Sequence, residues 1–491
     1  MTREDTPTLL CGLAVVLVVL FVGLRTKADP DLWGHVRFGQ DILSAHVIPR
    51  EDSYAFTSDR PWMNHEWMSE ALMAAAYNRG GAAGLSTMKF LVTIGVFAVA
   101  WRAIRDAGVR RPIAMGLLLT AVFPVNHLVT SIRPQLFSLL FLTVLLSLLN
   151  AIARGRTALF YWLPLIFAFW ANCHGGWIVG TGMVVLWSLC AAVSGTLKWR
   201  WVAGGSALAM LGGLITPYGF ELWRFLWETV GLGRDDIVDW QPLYRTPSLL
   251  IPWALAAALS LAAWMRGGLR ALPRLVPPMV LGLLALRVVR LEGFFGMASV
   301  ILLAPSFAGL GPVRLPLGRP PSRRELIAVG VTSFVALGTM GAAMFHRAGC
   351  VSFTSEGHEN PWAPEAEAIT FAKVNRLEGR LLNYFDYGEM AIWHLAPRLQ
   401  VSYDGRRETV YSVAVQNAHA RFYKSPDDAS YARILDPDYV WLPHRLPVNA
   451  ALGRDGWFII FKGPRSVIYA RTAGTYLQPN PVRGPRCFPG P

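Results

Sequence analysis

The chain has few charged side chains. Asp, Glu, Lys and Arg make up 16% of its 491 residues, while hydrophobic residues make up 53%. Soluble domains carry about a quarter charged residues, so this shortage excludes an ordinary soluble protein. Apolar runs close to the ~20 residues that cross a bilayer recur along the chain. The composition therefore predicts a protein that crosses a membrane several times.

Acidic residues are scarcer than basic ones, which gives a net charge of +14. A strongly basic chain is also typical of nucleic-acid-binding proteins. Here, however, the arginines lie between the apolar runs, where the positive-inside rule expects them. We therefore predict a membrane lipid partner and no nucleic-acid partner.

Cysteine is also scarce, and the five cysteines show no paired spacing. This argues against a disulfide scaffold or a zinc site of the usual spacing. Cys350 and Cys487 can meet in an oxidising compartment, but the sequence does not decide whether they do. The first apolar run lacks a small-residue cleavage site, which favours a retained span over a cleaved signal peptide.

Eleven apolar runs are candidate spans, and the charges between them set their direction. With the N-terminus in the cytoplasm, every short cytoplasmic loop is basic, from Arg102 and Arg105 to Arg323 and Arg324. Losing one span would invert every later loop, so the charges support an odd number of spans with the C-terminus outside. The candidate spans are 9–24, 85–104, 113–129, 134–152, 160–171, 177–193, 202–215, 249–265, 275–289, 294–310 and 326–345.

Polar sequence accumulates in the first loop, 26–84, and after residue 345, and this topology places both outside the cytoplasm. In the loop, Leu32–Ser44 and a stretch from near Asn64 predict two surface helices, with Asp31 as the N-cap of the first. Residues 346–477 predict a small α/β domain of mixed sheet. The tail 478–491, rich in Pro, Gly and Arg, is predicted to be disordered. Predicted strands are 380–385, 399–403 and 438–443, with a hairpin over 456–471 and helices at 388–395 and 410–423.

The predicted fold class is therefore mainly α. A polytopic membrane helix bundle over 1–345, with about eleven spans and N-in/C-out topology, is followed by an extracytoplasmic α/β domain. The sequence shows no internal repeat, which argues against a transporter built from paired repeats.

Several motifs carry a resemblance. They are DPDLWGHVRFGQDIL, PWMNHEWMSE, SIRPQLFSLL, ANCHGGWIVG, TPYGFELWRF, IVDWQP, LRVVRLEGFF and VSYDGRRETVY. They are similar to those of an uncharacterised bacterial membrane-protein set whose first motif usually reads DPDxWWHL, so Gly34 departs from a second tryptophan. The outward first loop and C-terminal domain resemble the GT-C superfamily of integral-membrane glycosyltransferases, such as protein mannosyltransferases and the lipid A aminoarabinose transferase.

This resemblance implies a key carboxylate in the first loop. Moving a sugar off a phosphate leaving group needs a carboxylate that takes a proton from the acceptor hydroxyl. Asp29, held extended before Pro30, and Asp31 are the candidates. Alternatively, Asp31 only caps a helix and Asp29 is solvated. His35, one turn beyond Asp31, either shares this site or is structural.

Glu66, with His65, is the second catalytic candidate in the loop. A His–Glu pair beside Asp29 or Asp31 can form a divalent-metal site, but the spacing matches no metal signature, so the metal stays unknown. The alternative is a glutamate favoured at a helix start by the helix dipole.

Arginines at the outward ends of spans are candidates for binding the donor phosphate, because arginine there is costly without a partner. The spacing of Arg287 and Arg290 places both on one helix face, and Arg133 precedes Pro134. The alternatives are snorkelling to lipid headgroups or pairing with Glu292. His174, in a glycine-rich turn, lines the cavity or is a satisfied turn histidine.

Two further groups stay open at this stage. Asp239, Trp240 and Gln241 contact a sugar by stacking and hydrogen bonding or, as we favour, anchor an outward loop at the membrane interface. Asp404, Arg406 and Arg407 in SYDGRR end a predicted strand. A turn there needs Asp and Gly in any case, so the role of this group stays open.

The resemblance implies a membrane glycosyltransferase of a bacterial cytoplasmic membrane. It would move a sugar from a polyprenyl-phosphate donor to an extracytoplasmic acceptor: a cell-envelope glycan, a lipid or a protein. The alternative is a non-enzymatic transporter or assembly protein for a lipid-linked glycan. The sugar and the acceptor are not encoded in any motif we find.

Overall fold

The apolar runs form helices whose bounds follow the predicted spans closely. The computed structural model describes residues 5–229, 231–234, 237–266, 271–311, 322–353, 365–479 and 487–490. Contacts divide the chain into two units. The helical unit comprises Met1–Thr26 and Ser86–Arg347, and the mixed unit comprises Lys27–Leu85 and Ala348–Pro491.

The helices through the last apolar run are α1 (Asp5–Leu24), α2 (Leu32–Ala45), α3 (Trp67–Asp106), α4 (Arg111–Thr130), α5 (Gln135–Ala153), α6 (Leu163–Cys173), α7 (Trp177–Val193), α8 (Trp199–Gly213), α9 (Phe220–Thr229), α10 (Leu250–Trp264), α11 (Leu272–Arg287), α12 (Glu292–Leu302) and α13 (Arg323–Ala348). Each predicted span overlaps one of them, but α12 ends at Leu302, well before the predicted end of the span 294–310. The mainly α fold class is confirmed.

By length and composition, four helices within the described ranges can cross a membrane: Trp67–Asp106, Arg111–Thr130, Gln135–Ala153 and Pro247–Trp264. Three apolar helices are shorter: Gly12–Leu24, Thr157–Cys173 and Trp177–Val193. The number of spans and their direction stay predictions.

Helix α3 contains the second predicted loop helix and the second predicted span. Gly80 and Gly81 interrupt it, and the φ of Gly81 is 56°, a conformation that favours glycine. The loop helix begins at Trp67, slightly after the predicted start near Asn64.

Close packing in the helical unit depends on small residues where α12 crosses α4. A Cβ at Gly296 would stand 2.2 Å from Pro124 Cγ, and one at Gly293 would stand 2.5 Å from Leu128 Cδ1. Glycines let the two backbones approach closely, as is typical between membrane helices. This approach also places His127 of α4 beside Glu292 of α12.

The mixed unit contains the predicted sheet. Its strands are β1 (Gly379–Asn383), β2 (Leu399–Val401), β3 (Tyr439–Pro443), β4 (Phe458–Lys462) and β5 (Ser466–Ala470). Their order in the sheet is β2–β1–β3–β5–β4. Strand β1 is parallel to β2 and β3, while β5 is antiparallel to β3 and β4. The mixed sheet and the closing hairpin are confirmed. The helices of this unit after the last apolar run are α14 (Ala366–Val374), α15 (Gly388–Leu395), α16 (Val413–Lys424), α17 (Ser430–Leu435) and α18 (Asn449–Arg454).

The first loop packs into this sheet. Ala55 forms a parallel bridge with Val401 at the free side of β2, and the Phe56 amide donates to the Val401 carbonyl at 3.1 Å. Met63 likewise donates to the Thr409 carbonyl. The grouping differs from the predicted one, in which the loop belonged with the helix bundle, because its backbone groups find their partners at the sheet edge.

Part of the tail 478–491 differs from the expected disorder. Residues 487–490 are held in place, because Cys487 forms a disulfide with Cys350, while 480–486 and 491 lie outside the described residues. Phe488 is 2% exposed and packs against Trp33 of α2, and the Pro489 carbonyl accepts from the Trp33 indole at 2.7 Å. Composition indicated disorder, but the covalent link orders these four residues.

Candidate active site

The predicted first-loop carboxylates lie at the start of α2. Asp31 is at the N-cap position with helical backbone angles, but its side chain makes no capping hydrogen bond. Instead, Asp29 Oδ1 accepts from the Asp31 amide at 3.2 Å. Both aspartates are partly exposed. The explanation of Asp31 as only a helix cap is therefore wrong, because that side chain does not cap the helix.

His35 lies one turn further along α2 and contacts a glutamate that the sequence analysis missed. Its Nδ1 is 3.2 Å from Glu70 Oε1, and Asn64 Nδ2 donates to Glu70 Oε2 at 2.6 Å. Burial alone would lower the pKa of His35, but the Glu70 hydrogen bond and the charges of Glu66 and Asp31 raise it. Glu70 lies in the first turn of α3, four residues after Glu66. This spacing is the sequence feature that could have indicated that Glu70 belongs to the site.

Glu66 and His65 lie together at the start of α3, where His65 Nε2 is 3.7 Å from Glu66 Oε1. The Glu66 amide donates to Asn64 Oδ1 at 3.3 Å, just before this helix begins. Within the described ranges, no group of three or more His, Cys, Asp or Glu side chains is arranged to hold a metal ion.

Arg406 joins the first loop to the turn after β2. It donates to Asp52 at 2.6 and 3.0 Å and to Asp404 at 2.9 and 2.8 Å. The rings of Phe38, Tyr54 and Trp62 surround the guanidinium, with centroids 4.8 to 5.6 Å away.

The ion pair with Arg406 keeps Asp404 ionised. Burial alone would raise the pKa of Asp404, but the Arg406 charge and hydrogen bonds hold it below its ordinary value. Residues of the SYDGRR turn therefore support the loop and do more than shape a turn.

Glu389, at the start of α15, completes this acidic cluster and was also missed from sequence. It is 3% exposed, and its Oε2 accepts from the Gly34 amide of α2 at 3.0 Å. Burial, together with the charges of Asp31 and Asp404, raises the pKa of Glu389 well above its ordinary value. The sequence feature that could have indicated this contact is Gly34, which stands where the resembling set has a second tryptophan.

A second cluster lies in the helical unit and contains three predicted residues. Arg133 pairs with Asp239 at 2.7 Å, and Arg290 donates to His174 Nε2 at 2.9 Å. His174 Nδ1 lies 2.7 Å from Ser138 Oγ and 3.0 Å from the Gly176 amide nitrogen. Gln135, with its amide turned, also accepts from Arg290. His174 thus positions Arg290.

Trp240 forms the aromatic surface of this cluster. The guanidinium of Arg234 lies 4.2 Å from its ring centroid, and that of Arg290 lies 5.6 Å away. Burial alone would raise the pKa of Asp239, but the charges of Arg133 and Arg290 hold it below its ordinary value. Asp239 and Trp240 belong to this ion-pair and cation–π network. The interfacial anchor that we favoured for them stays a prediction.

The prediction that Arg287 and Arg290 share one helix face is wrong. Helix α11 ends at Arg287, Val288 is extended (φ −136°, ψ 103°), and Arg290 lies in a following 3-10 turn, Val289–Leu291. The turn is held by the Val289 amide, which donates to the Gln241 carbonyl at 3.1 Å. Arg287 is exposed, while Arg290 is half-buried.

Glu292 does not take the role of an arginine partner that the alternative gave it. It is fully buried, and its Oε2 lies 3.6 Å from His127 Nδ1. Arg290 instead contacts His174, Gln135 and Trp240. Arg290 is therefore held by groups other than Glu292.

No protein-family model matches the sequence, and no curated protein matches it. Solved structures do share its fold. ArnT from Cupriavidus metallidurans, bound to undecaprenyl phosphate, is 13% identical over 95% of this chain and 98% of its own, with a TM-score of 0.51. The chain has the fold of ArnT.

Two archaeal structures agree with this result. The oligosaccharyltransferase AglB from Archaeoglobus fulgidus, in complex with an inhibitory peptide and a dolichol-phosphate, is 11% identical over 94% of this chain and 74% of its own, with a TM-score of 0.54. The Archaeoglobus fulgidus oligosaccharyltransferase tethered to an acceptor peptide is 12% identical over the same shares, with a TM-score of 0.52. The predicted resemblance is confirmed for the fold.

Proposed function

We propose that this protein is a membrane glycosyltransferase that moves a sugar from a polyprenyl-phosphate donor to an extracytoplasmic acceptor. The observation that carries the proposal is the shared fold with ArnT and AglB, whose solved forms hold undecaprenyl phosphate and a dolichol-phosphate. The two charged clusters supply the chemistry that such a transfer needs.

In the proposed reaction, an acceptor hydroxyl oxygen bonds to the anomeric carbon while that carbon's bond to the phosphate oxygen breaks. The electron pair leaves with the polyprenyl phosphate. Asp31 or Asp29 takes the hydroxyl proton. We favour Asp31, since it lies beside His35 and the buried carboxyls of the mixed unit.

The arginine cluster is assigned to the donor phosphate. Arg133, Arg234 and Arg290 carry three positive charges, and Asp239 offsets one of them. Arg290 is half-buried, contacts His174 and Gln135, and is assigned to stabilise the departing phosphate. Exposed Arg287 is assigned to lipid headgroups, not to the donor.

We also propose N-in/C-out topology with eleven spans in a bacterial cytoplasmic membrane. The Cys350–Cys487 disulfide supports an outward mixed unit, because structural disulfides persist in oxidising compartments. Reporter fusions after Arg111, Arg156 and Arg200 should give a cytoplasmic signal, and fusions after Arg60 and Pro361 an outside signal. A cytoplasmic signal at Pro361 would contradict the odd span count.

The activity test uses the full-length purified protein with a polyprenyl-phosphate sugar and a cell-envelope extract. We expect donor consumption that stops when Asp29 and Asp31 are both replaced by Asn. If the parent binds the donor lipid but never consumes it, the binding or transport alternative gains support and the enzyme proposal fails.

A further inference from the structure

Glu389 lies where α15 meets α2 and is a buried carboxyl group, 3% exposed, near Asp31. Helix α2 contributes Gly34, whose amide donates to Glu389 Oε2 at 3.0 Å. With Oε2 engaged by that amide, Oε1 is the oxygen left to interact with other groups. The contact fixes the first turn of α2, directly after Asp31.

Two glycines make the room that this carboxyl occupies. A Cβ at Gly34 would stand 2.2 Å from Glu389 Oε2, so any side chain there would collide with it. A Cβ at Gly405 would stand 2.4 Å from Asp31 Oδ1 and 2.6 Å from Glu389 Oε1. The two carboxyl oxygens therefore border the same small space above Gly405.

The charges around this space make it strongly acidic. Asp31, Asp404 and Glu70 all raise the cost of ionising Glu389, and Arg406 is the cation that opposes them. Arg406 is already engaged by Asp52 and Asp404. Like charges in a buried space cannot all ionise together. Asp404 is ionised through its hydrogen bonds with Arg406, so Glu389 is the carboxyl that keeps its proton.

We propose that Glu389 is a positioning residue that stays protonated, fixes the start of α2 and donates its Oε1 hydrogen toward Asp31, which stays ionised and aligned to accept a proton. This inference rests on the proposed function for its catalytic part. The structural part, a neutral Glu389 that holds Gly34, stands independently of the reaction.

The first experiment compares Glu389→Gln with Glu389→Ala in the full-length protein. Glutamine can accept from Gly34 and donate toward Asp31, as a neutral acid does, so it should keep most of the turnover. Alanine should lower kcat roughly tenfold or more, with a smaller change in KM, as supporting residues around a catalytic group typically do. Equal losses in both variants would mean that an ionised carboxylate is needed and would overturn the proposal.

A second measurement needs no activity. Because the pKa of folded Glu389 is raised above 4.5, its contribution to stability is fully present below pH 4.5 and is lost as pH rises toward the folded pKa. Glu389→Gln should therefore unfold at a higher temperature relative to the parent as pH increases from about 4.5. Glu378→Gln, which alters an exposed carboxylate of the same unit, is the control. A pH-independent difference would overturn the neutral-acid assignment.

The glycine contact has its own test. Gly34→Ala should lower the unfolding temperature, and adding Glu389→Ala should restore part of it, because the collision is removed. Additive losses would refute the contact. If the parent never consumes donor, the proposed function fails, while both unfolding measurements still decide the role of Glu389.

Discussion

The two charged clusters have opposite compositions. The cluster of the mixed unit collects Asp31, Glu70, Glu389 and Asp404, with Arg406 as their buried cation. The cluster of the helical unit collects Arg133, Arg234 and Arg290 around Trp240, with Asp239 as their anion. An acidic environment suits a proton acceptor, while a basic one suits a phosphate. In the proposed transfer, the acidic cluster is therefore assigned to removal of the acceptor proton and the basic cluster to binding of the donor phosphate.

The arginines of the two clusters also differ in their partners. Arg406 donates to two carboxylates and is enclosed by three rings, so its charge is neutralised within the protein. Arg290 contacts an imidazole and an amide and lies near the ring of Trp240, and it is partly exposed. We infer that Arg406 supports structure, whereas Arg290 is placed to bind a ligand.

The largest expected effect comes from removing Arg406. Arg406→Ala leaves Asp52 and Asp404 as buried, unpaired carboxylates, which should destabilise the mixed unit by about 3–5 kcal/mol. Denaturant unfolding of the purified protein, followed by tryptophan fluorescence, measures the change. Arg421→Ala, at an exposed position on α16, is the control. A loss no larger than the control's would remove the structural role of Arg406.

Asp31→Asn tests the acidic side of the comparison. Asparagine keeps size and polarity but cannot take the proton, so single-turnover transfer should fall on the order of a hundredfold or more, while donor lipid still binds. Glu51→Gln, which neutralises an exposed carboxylate of the same loop, should transfer at the parent rate. Parental rates for Asp31→Asn and Asp29→Asn, singly and together, would exclude this loop from catalysis.

Local patterns made much of the fold predictable. Helices α7 and α15 have the predicted bounds, because apolar and amphipathic periodicity depends only on residues that are close in sequence. The break at Val288 was not predictable, since no Gly or Pro marks it and a long-range bond to Gln241 holds the following turn.

The candidate sites were predicted only in part for the same reason. Asp31 and Arg290 lie in conspicuous polar motifs. Glu389 belongs to an otherwise apolar helix, and its partner Gly34 is 355 residues away. The Cys350–Cys487 pair, 137 residues apart, likewise has no local signal.

Arg290→Ala tests the basic side. Removing a charge-assisted contact should weaken binding of the donor lipid roughly tenfold and slow transfer as well. Arg287→Ala changes an arginine at the exposed end of α11 and should have a smaller effect on binding. Lysine at position 290 should rescue binding only partly, because it lacks the planar fork. Equal effects of the two alanine variants would mean that Arg290 contributes only general charge.

The smallest expected effect concerns pH and the His35–Glu70 contact. Because the pKa of folded His35 is raised above 6.5, the stabilisation is fully present below pH 6.5 and is lost as pH rises through the folded pKa. Glu70→Gln should remove this dependence and cost about 1 kcal/mol at pH 6, which is typical of one hydrogen bond. Unfolding curves of the parent and the variant between pH 5.5 and about 9 measure it. If their difference stays constant with pH, His35 does not gain a proton through Glu70, and the acidic cluster acts on Asp31 without it.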